Sequence, residues 1–109
     1  MKNLRFKSDK YRKARGGYSR FLNINCDHCG HNVLIYQKDG PGELERLYLD
    51  RIFSPDKLVK LQNLSVNKVP NLTCPKCKSL LVIPYIYPKE KRPAFRLFTG
   101  AINKKVVKK

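Results

Sequence analysis

Four cysteines stand in two matched pairs, Cys26-Asp27-His28-Cys29 and Cys74-Pro75-Lys76-Cys77, and the chain has no others. A Cys-x-x-Cys loop turns two thiolates toward one point, so two loops supply four ligands. Four thiolates complete the tetrahedral shell of zinc and leave no open coordination position. A site closed in that way holds a fold together and does no chemistry of its own. The spacing therefore predicts one structural Zn2+ on Cys26, Cys29, Cys74 and Cys77. Spacing alone does not distinguish iron from zinc.

The flanking residues mostly suit this reading. Gly30 follows the first pair, where a positive φ lets loop amides point at sulfur. Pro75 fixes φ inside the second loop. Lys78 stands where a second glycine would be expected and departs from that pattern. His28 and His31 could each replace a cysteine; the simpler reading leaves them exposed or behind the ligands. Two disulfides would need an oxidising compartment, and the charged N-terminal residues carry no apolar signal segment. No βαβ pattern surrounds either motif, so a thioredoxin-like redox pair does not fit. A reducing compartment is expected, the cytoplasm or the interior of an organelle.

Charge is the second strong feature. The 109 residues carry a net charge of +16. Residues 1–20 hold eight Lys/Arg and one acid, residues 21–73 six of each, and residues 74–109 ten Lys/Arg and one acid. A neutral body is thus flanked by two cationic ends, a segregation that points to a polyanion. Nucleic acid is the common polyanion of a reducing cell, and neutralising its phosphates releases counterions. The candidate contacts are Arg5, Lys7, Lys10, Arg12, Lys13, Arg15 and Arg20 in the first end. Lys76, Lys78, Lys89, Lys91, Arg92, Arg96, Lys104 and Lys105 follow in the second. Aromatic residues interleave with them: Phe6, Tyr11, Tyr18 and Phe21, then Tyr85, Tyr87, Phe95 and Phe98. Cations beside flat rings hold unstacked bases; the same rings would face a core if their segments are strands. The basic ends show no long amphipathic pattern, so a membrane surface is the poorer partner. No apolar stretch approaches the roughly 20 residues of a membrane span.

These residues need elements to position them. Residues 1–20 are poor in large aliphatics and contain Gly16-Gly17, which predicts an extended arm, disordered when free. Residues 21–100 form the one domain that the length allows, and 101–109 a basic tail. Alternation predicts strands over 21–25, 32–38 and 48–53, the last returning along a hairpin from the turn Asp39-Gly40-Pro41-Gly42. Ser54, Pro55 and Asp56 announce a short helix near 55–63. Residues 80–87 and 94–98 complete a second hairpin, with Pro84 marking an edge or a bend. The expected fold is small, mainly β and metal-stabilised: a zinc ribbon of two knuckles, β-hairpins and one short helix. A core so thin, set against about 10–16 kcal/mol from structural zinc, predicts a largely unfolded apo form. The hairpin carboxylates read as cross-strand ion pairs, Asp50-Arg51 as a fixed pair near the helix start. No nucleophile lies near them, and no enzymatic activity is expected.

The two cysteine loops, each beside a strand, resemble zinc ribbons. Among zinc-ribbon families the basic ends are most similar to the small zinc-bearing ribosomal proteins, in which a compact head carries an arm that threads between RNA helices. That resemblance implies ribosomal RNA as ligand, ribosomal proteins as neighbours and a structural or accessory part in the ribosome. The segment between the knuckles lies outside the resemblance. The alternative is a zinc ribbon acting in transcription, on DNA or beside RNA polymerase. An arm rich in Arg, Lys and Tyr without a recognition helix favours RNA shape over base reading in a major groove.

Overall fold

The alternating run at 21–25 lies in the middle of β1 (Ser19–Cys26) in the computed structural model, which describes residues 4–107. β1 pairs antiparallel with β2 (Asn32–Asp39), from Ser19 opposite Asp39 to Asn25 opposite Asn32, with a register shift between Ile24 and Asn25. Two further strands, β4 (Ile52–Ser54) and β8 (Ile102–Val106), extend this sheet to the order β4-β2-β1-β8. One face carries Leu22, Ile24, Leu34 and Tyr36, all buried. The other carries hydrogen-bonded amides at Asn23, Asn25, Asn32 and Asn103. Phe21 covers the rest of that outer face, stacked on Phe6 at 4.5 Å and edge-on to Phe53 at 4.9 Å.

The second sheet has the order β3-β7-β6-β5. Its strands are β3 (Arg46–Tyr48), β5 (Leu72–Thr73), β6 (Leu80–Tyr87) and β7 (Arg92–Leu97). Leu47, Leu81, Val82 and Phe95 meet the buried face of the first sheet in one apolar core. Pro84 lies on the stretch of β6 that β5 leaves unpaired, an edge position where proline is tolerated. The helix expected near 55–63 is α2 (Asp56–Val59), continued by a 3-10 turn over Lys60–Asn63. Ser54 ends β4, and Pro55 takes the cap position with no side-chain bond.

Three segments differ from expectation. The return strand over 48–53 is broken. β3 joins the second sheet, a 3-10 turn spans Leu49–Arg51, and β4 joins the first. Tyr48, Leu49, Arg51 and Ile52 are all buried, so this segment crosses between sheets and has no solvent face to alternate with. The arm, as far as it is described, is folded onto the body. It contains α1 (Lys10–Ala14), whose Asp9 cap accepts from the amides of Tyr11 and Arg12. Asp9 is drawn in by Arg51, 2.7 Å away, whose buried guanidinium needs carboxylates. The tail becomes β8, paired with β1 from Leu22 opposite Val106 to Cys26 opposite Ile102; β1 would otherwise present an open edge. The outermost arm and tail residues, 1–3 and 108–109, lie outside the described residues.

Candidate metal centre and charged surface

The two cysteine loops are built alike. In the first, the Cys26 amide donates to the His31 carbonyl and the Gly30 amide to the Cys26 carbonyl, at 2.9 and 2.8 Å. In the second, the Cys74 amide donates to Ser79 and the Lys78 amide to Cys74, both at 2.9 Å. Gly30 and Lys78 occupy equivalent positions with φ of 80° and 68°. Lys78 therefore takes the left-handed conformation a glycine adopts more readily. The departure seen in the sequence is one of residue type, not of loop shape.

The loops sit at the ends of the β1–β2 and β5–β6 hairpins, so the packing of the two sheets brings them together. Cys26 Sγ lies 3.6 Å from Cys77 Sγ, and Cys29 Sγ 3.5 Å from Cys74 Sγ. All four sulfurs fall within 4.8 Å of one another. A regular tetrahedron on bonds of about 2.3 Å has edges of about 3.8 Å, so the set fits a four-thiolate metal site. All four cysteines are free of disulfides, and Cys26 and Cys74 are buried. Neither His28 nor His31 belongs to the cluster.

The surroundings of the sulfurs differ. The Ser79 hydroxyl, 3.2 Å from Cys77 Sγ, and the Ser79 amide hold the Cys77 thiol down at about 6. The amides of Cys77 and Lys76 lower Cys74 as well. At Cys29 the His31 amide favours the thiolate, but burial and the three neighbouring sulfurs outweigh it and push the thiol up to about 11. A divalent cation at the centre would favour all four thiolates and remove that opposition.

A second constellation lies where the N-terminal arm meets the body. Arg51 is 1% exposed and faces Asp39 at 2.9 Å, Asp9 at 2.7 Å and Asp50 at 3.5 Å. Arg92, also buried, reaches Asp50 at 2.8 Å and lies between the rings of Tyr11 and Tyr48 at 4.0 and 3.7 Å. Arg15 holds Glu90 with two hydrogen bonds of 2.8 and 3.0 Å. Asp50-Arg51 is thus one edge of a larger network, and the helix start it supports is that of α1.

The candidate nucleic-acid residues divide accordingly. Arg5, Lys10, Lys13, Lys76, Lys78, Lys89, Lys91, Arg96, Lys104 and Lys105 are exposed. Lys7, Arg12, Arg15 and Arg20 are half-buried; the first three are engaged by Asp50, Ser19 and Glu90. Arg92 is enclosed and cannot meet a phosphate, because desolvating its guanidinium required the internal partners it now holds. Of the interleaved rings, Phe6, Tyr18 and Phe98 are exposed, whereas Phe21 and Phe95 belong to the interior. Lys38 was not singled out by the sequence reading, and it is buried. Its signal was its place on the inward stripe Leu34-Tyr36-Lys38 of β2.

Compared with family models, curated proteins and solved structures, the chain matches none.

Proposed function

We propose that this chain is an RNA-binding protein with one structural Zn2+ on Cys26, Cys29, Cys74 and Cys77, serving as a structural or accessory component of the ribosome. The zinc assignment rests on an all-thiolate tetrahedral set built from two loops of one shape. Zinc supplies no reaction in such a site; it clamps one hairpin of each sheet to the other.

The observation that carries RNA is how charge is sorted. Asp9, Asp39, Asp50 and Glu90, half of the eight acids, neutralise arginines inside the fold. The other four, Asp27, Glu43, Glu45 and Asp56, are exposed. Against them stand, among the described residues, thirteen exposed cations, the ten named above with Lys57, Lys60 and Lys68. The exterior keeps a strong excess of positive charge, which suits a polyphosphate. Helices of five and four residues are too short to read a major groove, which favours RNA over duplex DNA. The ribosomal placement rests on the resemblance of the knuckles and basic ends to zinc-bearing ribosomal proteins.

Crosslinking in cells followed by sequencing of the recovered nucleic acid tests this reading. Ribosomal RNA is expected, together with co-sedimentation on ribosomal particles that weakens steeply as salt rises. Recovery of genomic DNA without RNA would select the transcription reading instead. A protein confined to light fractions at low salt, with no nucleic acid attached, would refute both.

A further inference from the structure

Lysine is almost never buried without a carboxylate partner, yet Lys38 is 6% exposed. Among the described residues it forms no ion pair, and its ammonium donates to the Gly40 carbonyl at 2.8 Å. An ammonium has three protons to place. The neighbours make matters worse. Arg20 stands directly opposite Lys38 across β1 and β2, where like charges repel. The Arg20 Nε is itself buried and has no hydrogen-bond partner. Lys104 stands opposite Ile24, on the same face of that sheet as Lys38. Burial and the charges of Arg20, Lys104 and Arg15 lower the pKa of Lys38, and the opposing charge of Asp39 does not offset them.

Lys38 also lines a cavity of about 350 Å³ beneath the turn that leads to β3, with Arg15, Arg46, Tyr48 and Tyr87 around it. The acids near this cavity do not answer the lysine. Asp39 is taken by Arg51, Ser19 and Gln37. The side chain of Glu43 is 91% exposed and, among the described residues, pairs only with Lys104, at 3.8 Å. That of Glu45 is 67% exposed and turns to Arg46.

We propose that Lys38 binds one phosphate group entering from this cavity, with Lys104 at the mouth, where it meets the cavity-lining Glu43. Resting on the reading above, its source is a backbone phosphodiester of RNA. The phosphate oxygens accept the two unused Lys38 protons and take the place of Glu43 at Lys104. The cations are held ready at a cost to the free protein, which the anion relieves.

The experiment is thermal melting of the full, zinc-loaded chain in sodium phosphate against sodium chloride of equal ionic strength, alongside titration with single-stranded RNA. Phosphate is expected to raise the wild-type Tm beyond the chloride value, as any ligand of the native state does. Lys38→Met should melt no lower than wild type in chloride, because it removes an unpaired buried charge. It should lose the phosphate-specific rise and bind RNA at least about tenfold more weakly, with its salt slope reduced by about 0.7. Glu43→Gln should tighten RNA binding, and Lys104→Gln, an exposed change that leaves the core intact, should weaken it. A phosphate response that persists in both Lys38→Met and Lys104→Gln overturns the site. So does wild-type RNA binding that Lys38→Met leaves unchanged, an outcome in which the RNA reading survives. Phosphate stabilisation that depends on Lys38 in a chain that binds no RNA keeps the site, overturns its RNA source and refutes the RNA reading.

Discussion

Replacing Arg51 by methionine removes the one cation that three carboxylates share. The Arg51 side chain is 1% exposed and that of Asp39 5%, whereas Asp9 and Asp50 are 37% and 36% exposed. Water screens the last two, and their pairs contribute little. The energy lies with Asp39. Without Arg51 it keeps the Ser19 hydroxyl at 2.7 Å and the Gln37 amide at 2.8 Å, but loses its ion-pair partner in a largely dry site. Breaking a buried pair from one side costs about 3–5 kcal/mol. For a domain of this size that is about 4 °C of Tm per kcal/mol, or about 12–20 °C in all. The assay is calorimetric or circular-dichroism melting of the zinc-loaded protein at neutral pH. Arg51→Met with Asp39→Asn should recover most of the loss, since no unpaired charge then remains. Two results would refute this reasoning: a fall in Tm of less than about 4 °C for the single variant, or a double variant no more stable than Arg51→Met.

Three other outcomes are expected. Burial opposes ionisation of Asp9, but the Arg51 hydrogen bond and the amides of Arg12 and Tyr11 outweigh it and hold the carboxyl at about 2 instead of 3.8. A carboxyl depressed by folding stabilises the folded state above its ordinary value and loses that contribution as pH falls through the lowered one. Hydrogen exchange should therefore show the amides of α1 losing protection between pH 4 and pH 2 before those of β1; simultaneous loss would contradict the docking described. Lys78→Gly should raise stability by about 1 kcal/mol, because glycine takes positive φ without the penalty of a side chain; a lower melting point would show that the Lys78 side chain holds its loop more than it strains it. Chelation of the metal, or Cys77→Ser, should remove about 10–16 kcal/mol of binding energy, more than the usual stability of a domain. The strand signal in far-ultraviolet circular dichroism should then collapse, and an apo protein with unchanged thermal unfolding would refute the structural role of the metal.

The cysteine cluster was legible in the sequence because its information is local: two residues at fixed spacing, twice. The strand at 21–25 was legible through its alternation, and that at 80–87 as the most apolar run of the chain. The segment 48–53 hid its break because its alternation reads as one strand, whereas on folding Tyr48, Leu49, Arg51 and Ile52 are all buried as the chain crosses between sheets. The arm read as disordered because its own residues bury little apolar surface. What holds it is Arg51, 42 residues away from Asp9 in the chain, and no local pattern encodes a partner at that distance. The same blindness affected Arg15 and Arg92, which look in sequence like other surface cations and acquire Glu90, Asp50 and the flanking tyrosines only on folding.

The pairing of β1 with β8 sets a condition on biosynthesis. The hairpin of β1 and β2 can form as soon as its own residues emerge, but its far neighbour spans residues 102–106. Until then β1 keeps one row of amides and carbonyls open, and Cys26 and Cys29 wait for sulfurs that follow 45 and more positions later. A nascent chain in this condition is a template for unwanted strand addition. Lys104 and Lys105 lie in the strand that finally closes the row, and they also discourage another chain from docking on the new outer rim. Productive assembly is thus deferred until residues 102–106 have been made, and shortening the chain ahead of residue 102 should yield aggregates.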